Sequence, residues 1–267
     1  MSRLPTLFLS HGSPMHAVDP GEAGRAWQLL GRSLPRPSAV LIASAHWETA
    51  VPMLTGNPKP ETIHDFGGFP DELYRERYPA PGAPEVAAEA VAALRAADIT
   101  AGINGCRGLD HGAWVPLKWM YPEHEVPVVQ LSLQPELGPA HHLRMGSALA
   151  PLTEDGVLII GSGHATHNLR DWVSNPRRHE PLLYAASFAE WLKGRLEGHD
   201  AEAVIDYRDQ VPEAKRAHPT EEHFLPLFIA WGAAGTDARA ERIIGGFEAG
   251  ALALDSYLFH PASLSVH

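Results

Sequence analysis

Val157-Leu-Ile-Ile-Gly-Ser-Gly-His164, with His167 close behind, is an apolar run that ends on histidine. Two other runs share its design, Thr6-Leu-Phe-Leu-Ser-His11 and Val40-Leu-Ile-Ala-Ser-Ala-His46. Near-continuous apolar stretches of this length suit strands of a parallel sheet covered on both faces. Ligands of open α/β sheets bind in the crevice beyond the carboxyl ends of the strands, where a side chain placed just past a buried strand projects. Several imidazoles meeting there could hold one metal ion and also move protons near neutral pH.

A further apolar run lies at 126–132, and helix-like segments separate the strands. These segments are Glu22 to Leu30, Pro84 to Ala97, Ala140 to Leu152 and Leu182 to Leu196. The alternation predicts an α/β fold: a single domain over residues 1–267, with a central, mostly parallel sheet flanked by helices and a metal site at the strands' carboxyl ends. Gly250 to Phe259 alternates partly and is expected as an edge strand returning to the sheet. Glu48 to Gly82 and Cys106 to Val126 read as long irregular segments. Their aromatic residues, Phe66, Phe69, Tyr74, Trp114, Trp119 and Tyr121, argue for order and could either wall a pocket for a flat ring or serve as ordinary packing.

The formal net charge of -11 and the absence of any Lys/Arg run argue against a nucleic-acid partner. Cys106 is the single cysteine, so the chain can form neither an internal disulfide nor a thiolate cage, and a reducing cytoplasm fits. No stretch approaches the roughly 20 apolar residues that span a bilayer, and no secretory signal is recognisable. Oligomeric state is open, a homo-oligomer included.

Two histidines alone rarely hold a divalent ion tightly, so His11 and His46 need a third partner. The segment Ala217-His-Pro-Thr-Glu-Glu-His223 offers His218, Glu221, Glu222 and His223. On a helix starting near Pro219, His218 and His223 would lie about 140° apart, too far for both to face one ion. A glutamate there would complete the two-histidine, one-carboxylate pattern of non-haem iron oxygenases. Spacing does not choose among these ligands. Of His164 and His167, one is expected to act as an acid or base. Asp110 stands beside His111 in the second irregular segment and could orient it.

The motifs Ser-His-Gly-Ser-Pro at 10–14, Ser-Ala-His-Trp at 44–47, Ile-His-Asp-Phe-Gly-Gly-Phe-Pro at 63–70, Asp-His-Gly-Ala-Trp at 110–114, Gly-Ser-Gly-His-Ala-Thr-His-Asn at 161–168 and Glu-His-Phe-Leu-Pro-Leu at 222–227 occur in this order. Together they resemble the class III extradiol ring-cleavage dioxygenases, in the DOPA 4,5-dioxygenase-type branch. The resemblance implies a metal held by His11, His46 and His223, with His167 as the acid/base and His111 as a second pocket histidine. It leaves His64, Asp65 and His164 as candidates for contacting substrate oxygens or dioxygen. The third ligand is a glutamate in the protocatechuate-cleaving relatives, whereas the matching position here is His223. The implied partners are a catechol and dioxygen, and the implied ion is Fe(2+), with Zn(2+) able to occupy the same nitrogens. A zinc hydrolase using this three-histidine set, or a metal-binding protein without turnover, are the competing readings.

Overall fold

In the computed structural model, which describes residues 3–262, the four expected strands form next to one another. The strands are β1 (Thr6–Ser10), β2 (Ala39–Glu48), β3 (Met53–Thr55), β4 (Gly102–Asn104), β5 (Val128–Leu133), β6 (Val157–Gly163), β7 (Arg239–Ile244), β8 (Phe247–Glu248), β9 (Leu252–Ala253) and β10 (Ser256–His260). Eight of them make one sheet in the order β4-β3-β5-β2-β6-β1-β10-β7, while β8 and β9 pair separately. The central run β5-β2-β6-β1 is parallel throughout, and β10 and β7 continue it antiparallel.

Helices cover both faces. They are α1 (Gly21–Ser33), α2 (Asp71–Arg75), α3 (Pro84–Ala96), α4 (His111–Met120), α5 (Gly138–Leu149), α6 (Leu169–Ser174), α7 (Leu183–Glu197), α8 (Ala201–Ile205), α9 (Tyr207–Gln210), α10 (Ala214–Ala217) and α11 (Leu225–Ala234). Side chains alternate along a strand, so each strand feeds two cores. Phe8, Leu41 and Ile159 pack with residues of α3, α5, α7 and α11, whereas Leu7, Ile42 and Ile160 pack with residues of α1 and α4. Every residue of α11 is buried, consistent with a helix that is apolar all round.

Three expectations are corrected. Cys106 to Val126, read as irregular, contains the ten-residue helix α4. Its Pro116 lacks an N–H to donate to the Gly112 carbonyl, and this is why the segment did not read as helical. That carbonyl instead accepts a hydrogen bond from Ser162 Oγ. The Gly250 to Phe259 strand is not at the edge, since β10 lies between β1 and β7. The C-terminal helix begins at Leu225 with Pro226 in its first turn, rather than near Pro219. His223 therefore sits in the preceding turn, where helical spacing does not govern which residues share a face.

Candidate active site

The strand order places the carboxyl ends of β2, β6 and β1 side by side. His11 follows β1, His46 is near the end of β2, and His164 follows β6. His11 and His46 thus straddle β6 rather than occupying adjacent strands, and Ser162 of β6 is in register with Ser44 of β2 and Leu9 of β1. His223 reaches the same place because its turn lies directly on β6. A Cβ at Gly163 would stand 2.1 Å from the His223 carbonyl, and one at Gly161 would stand 2.0 Å from that of Pro226. The two glycines permit this approach, and the His164 N–H donates to the His223 carbonyl at 2.7 Å.

His11, His46 and His223 each present a ring nitrogen within 4.8 Å of the others. The His11 and His46 Nε2 atoms are 3.1 Å apart. Two nitrogens bound to one ion at 2.0–2.1 Å in tetrahedral geometry would be about 3.3 Å apart, so this spacing fits a shared ion. The opposite ring nitrogens explain which way the lone pairs face. Ser162 Oγ spends its hydrogen on the Gly112 carbonyl, and so accepts from His11 Nδ1–H at 3.0 Å. Glu222 Oε1 accepts from His223 Nδ1–H at 3.0 Å. Asp65 Oδ2 faces His46 Nδ1 at 3.5 Å. With protons held on the Nδ1 side, the Nε2 lone pairs converge, and His223 Nε2 is buried without a hydrogen-bond partner. An orphaned buried acceptor is costly, and a cation would satisfy all three at once. Burial lowers the pKa of each of these rings well below the ordinary histidine value, and the neighbouring imidazoles add to the effect. Neutral imidazole is the form that binds metal.

Around this cluster is a cavity of about 300 Å³, at the small end of ligand pockets. His111, His164 and His167 also line it. The His167 ring stacks on His223, with centroids 3.4 Å apart and planes 10° from parallel. Burial, aided by His111, pushes its pKa down to about 4, which keeps the ring neutral near pH 7. His111 is pinned by Asp65, which accepts from its Nδ1–H and from its backbone N–H, each at 2.9 Å. Burial acts to raise the Asp65 pKa, but these bonds and the nearby His46 outweigh it and bring it to about 2.

The other expected positions are distributed unevenly. His164 Nε2 accepts the Gly12 N–H at 3.1 Å, which commits that nitrogen to the loop after His11. His64 lies behind the cavity wall, packed against Phe66, Tyr74 and Trp114. His218 is fully buried in the core, with its Nε2 on the Ala165 carbonyl, and Glu221 bonds Arg208 and Tyr207, so neither joins the cluster. Asp110 does not orient His111; its buried carboxylate holds Ser44, Gln130 and Arg107. Of the aromatics in the irregular segments, Phe66 and Phe69 line the cavity. Trp114 is in the core, with its indole N–H on the Ile63 carbonyl. Ser162, the partner of His11, is marked in the sequence only by a hydroxyl between two glycines at a strand end. Leu169, Trp172 and Leu252 complete the wall and carried no signal at all.

A mostly parallel α/β sheet thus carries a convergent cluster of imidazoles, a candidate metal site, beyond the carboxyl ends of its central strands. Residues 5–249 match the model of the catalytic LigB subunit of aromatic ring-opening dioxygenase, and the chain belongs to that family. It is 43% identical over 264 residues to the 4,5-DOPA dioxygenase extradiol of Beta vulgaris, with 95% of this chain and 96% of the relative covered. It is 38% identical over 258 residues to the Escherichia coli K12 protein of the same name, with 95% and 93% covered. The crystal structure of the uncharacterized protein JW3007 from Escherichia coli K12 superposes with a TM-score of 0.79 at 33% identity, covering 96% of this chain and 99% of that one. The protein is an extradiol ring-cleaving dioxygenase, and the hydrolase and non-catalytic readings fall away.

Proposed function

We propose that the enzyme cleaves a catechol beside its diol, with a metal held by His11, His46 and His223. The convergence of three lone pairs, each ring facing a polar acceptor on its far side, carries this reading. When bound, ferrous iron held by His11, His46 and His223 would supply the redox chemistry that couples a catechol to dioxygen. Zinc fits the same nitrogens but lacks redox chemistry.

The chain's own residues supply the rest. His167 lines the cavity and its ring makes no hydrogen bond to protein among the described residues, so a ring nitrogen is open to accept a phenolic proton and later return it. His111 keeps its Nδ1 proton on Asp65 and presents its other nitrogen to substrate or dioxygen. His164 and Asp65 act by fixing the Gly12 loop and His111, and His64 by backing Phe66. Both atoms of dioxygen enter the product, a ring-opened semialdehyde carrying a new carboxylate. A catalytic domain spanning 1–267, acting in the cytoplasm without nucleic acid or membrane and able to form a homo-oligomer, belongs to the same reading. The net charge of -11 and the lone cysteine support it.

The test is anaerobic reconstitution of metal-free protein with iron(II), followed by catechol and air. Dioxygen uptake with a yellow ring-opened product is expected only with iron present. Full iron occupancy without uptake overturns the proposal.

A further inference from the structure

Asp110 is fully buried and stands one residue before α4, where an aspartate ordinarily turns its carboxylate onto the helix's own free N–H groups. Here it makes no such bond. Its Oδ1 accepts from Ser44 Oγ at 2.6 Å, and its Oδ2 accepts from Arg107 Nη2 at 3.1 Å and from Gln130 Nε2. Asp65 takes over at the helix end by accepting the His111 N–H. Burying a carboxylate is costly unless donors match it, so a cap forgone in favour of three side-chain donors points to a role outside the helix.

Two of those donors also grip one residue, His46. Its N–H donates to Ser44 Oγ at 3.2 Å, and its carbonyl accepts from the same Arg107 Nη2 at 3.2 Å. The register of β2 with β6 ends at Ser44, and that with β5 breaks between Ala43 and Glu48, so His46 falls where the sheet register no longer dictates the path of the backbone. Arg107 is itself seated on the Trp47 ring, 4.7 Å from its centroid. The His46 imidazole lies against Gly112, where a Cβ would stand 3.0 Å from His46 Cδ2 and 2.5 Å from Ser44 Oγ. None of Ser44, Arg107, Asp110 and Gln130 lines the cavity, so the network reaches the chemistry only through the residue it holds.

Resting on the reading of His46 as a metal ligand, we infer that Asp110 is a positioning residue: its two carboxylate oxygens, through Ser44 and Arg107, clamp the His46 main chain from both sides and aim its ring at the ion. A ligand nitrogen must stand within about 0.2 Å of its ideal distance from the metal. A strand end free to shift would lower affinity, and the clamp removes that freedom before an ion arrives.

The test is a double-mutant cycle read by Zn(2+) affinity, measured on metal-free protein by competition with a chelating dye. Asp110→Asn should weaken binding about 10- to 100-fold in the wild-type background and less than about threefold in His46→Ala, where no ligand is left to aim. Equal losses in both backgrounds would reflect general damage to the fold and overturn the clamp, as would wild-type affinity in Asp110→Asn. Arg107→Met cuts one arm at a partly exposed side chain, and its Co(2+)-loaded form should have a visible spectrum displaced from that of wild type. Arg107→Lys, which restores a cation, should move the spectrum back. A wild-type spectrum in Arg107→Met overturns the clamp even if Asp110→Asn does not fold. If His46→Ala binds Zn(2+) as tightly as wild type, the ligand reading fails and the clamp with it.

Discussion

The imidazole of His167 lies flat on that of His223, 3.4 Å centroid to centroid and 10° from parallel. One ring has its Nδ1 held by Glu222; the other makes no side-chain hydrogen bond to protein among the described residues. Stacking fixes the second ring in position while leaving its nitrogens free, the division that the proposed roles of ligand for His223 and acid/base for His167 require.

Replacing His167 with Ala is expected to leave iron content near wild type and to lower kcat/KM for ring cleavage by about 10²–10⁴, the usual worth of general acid–base catalysis. Iron analysis and dioxygen uptake on the same preparation check this. Parallel loss of iron would place His167 among the ligands.

Ser162→Ala removes the acceptor that keeps the His11 proton on Nδ1. Metal affinity should fall about 10- to 100-fold, as with other partners of metal-bound histidines. His223→Ala should abolish tight binding. Glu222→Gln retains an oxygen that can accept from His223 Nδ1, so its effect should stay below about tenfold. Competition titrations with a chelating dye measure all three, and a loss in Glu222→Gln as large as in His223→Ala would make the carboxylate itself the ligand.

His142 on α5, which does not line the cavity, gives a pH prediction. Its Nδ1–H donates to the Gly138 carbonyl at 2.7 Å, and its Nε2 accepts the Gln134 N–H at 3.1 Å. Burial pushes its pKa down to about 4 from the ordinary 6.5. The unfolded chain binds this proton more readily than the folded one. The stabilisation is therefore complete above pH 6.5 and is lost as the pH falls toward 4. The span is worth on the order of 3 kcal/mol. Urea denaturation of metal-free protein at pH 7.5 and 4.5 should show a steeper loss for wild type than for His142→Gln. Equal slopes would refute the assignment.

The histidine-terminated strands were legible because an apolar run and the residue after it are local features, and the parallel packing follows from that pattern. The helix α4 was hidden by Pro116, whose cost is met by a tertiary partner, Ser162, that no local pattern contains. The three-residue strands β3 and β4 are too short to show a period. Helical spacing could not choose between His218 and His223, because the turn at 219–224 is not part of the helix. The choice depends on Gly161 and Gly163 admitting that turn onto β6. The wall residues Leu169 and Leu252 are ordinary leucines until the fold brings them to the cavity.

His11 and His46 come from the first fifth of the chain and His223 from the last. No short segment can assemble the site, and the unfolded chain holds these nitrogens far apart, so an ion that binds the native fold has little affinity for anything else. An ion held by these three nitrogens would by mass action become part of the protein's conformational stability, and its withdrawal by a chelator would loosen the junction between the two ends of the chain as well as stop the chemistry. Catalytic competence and resistance to unfolding are then set by the same variable, the free concentration of the ion.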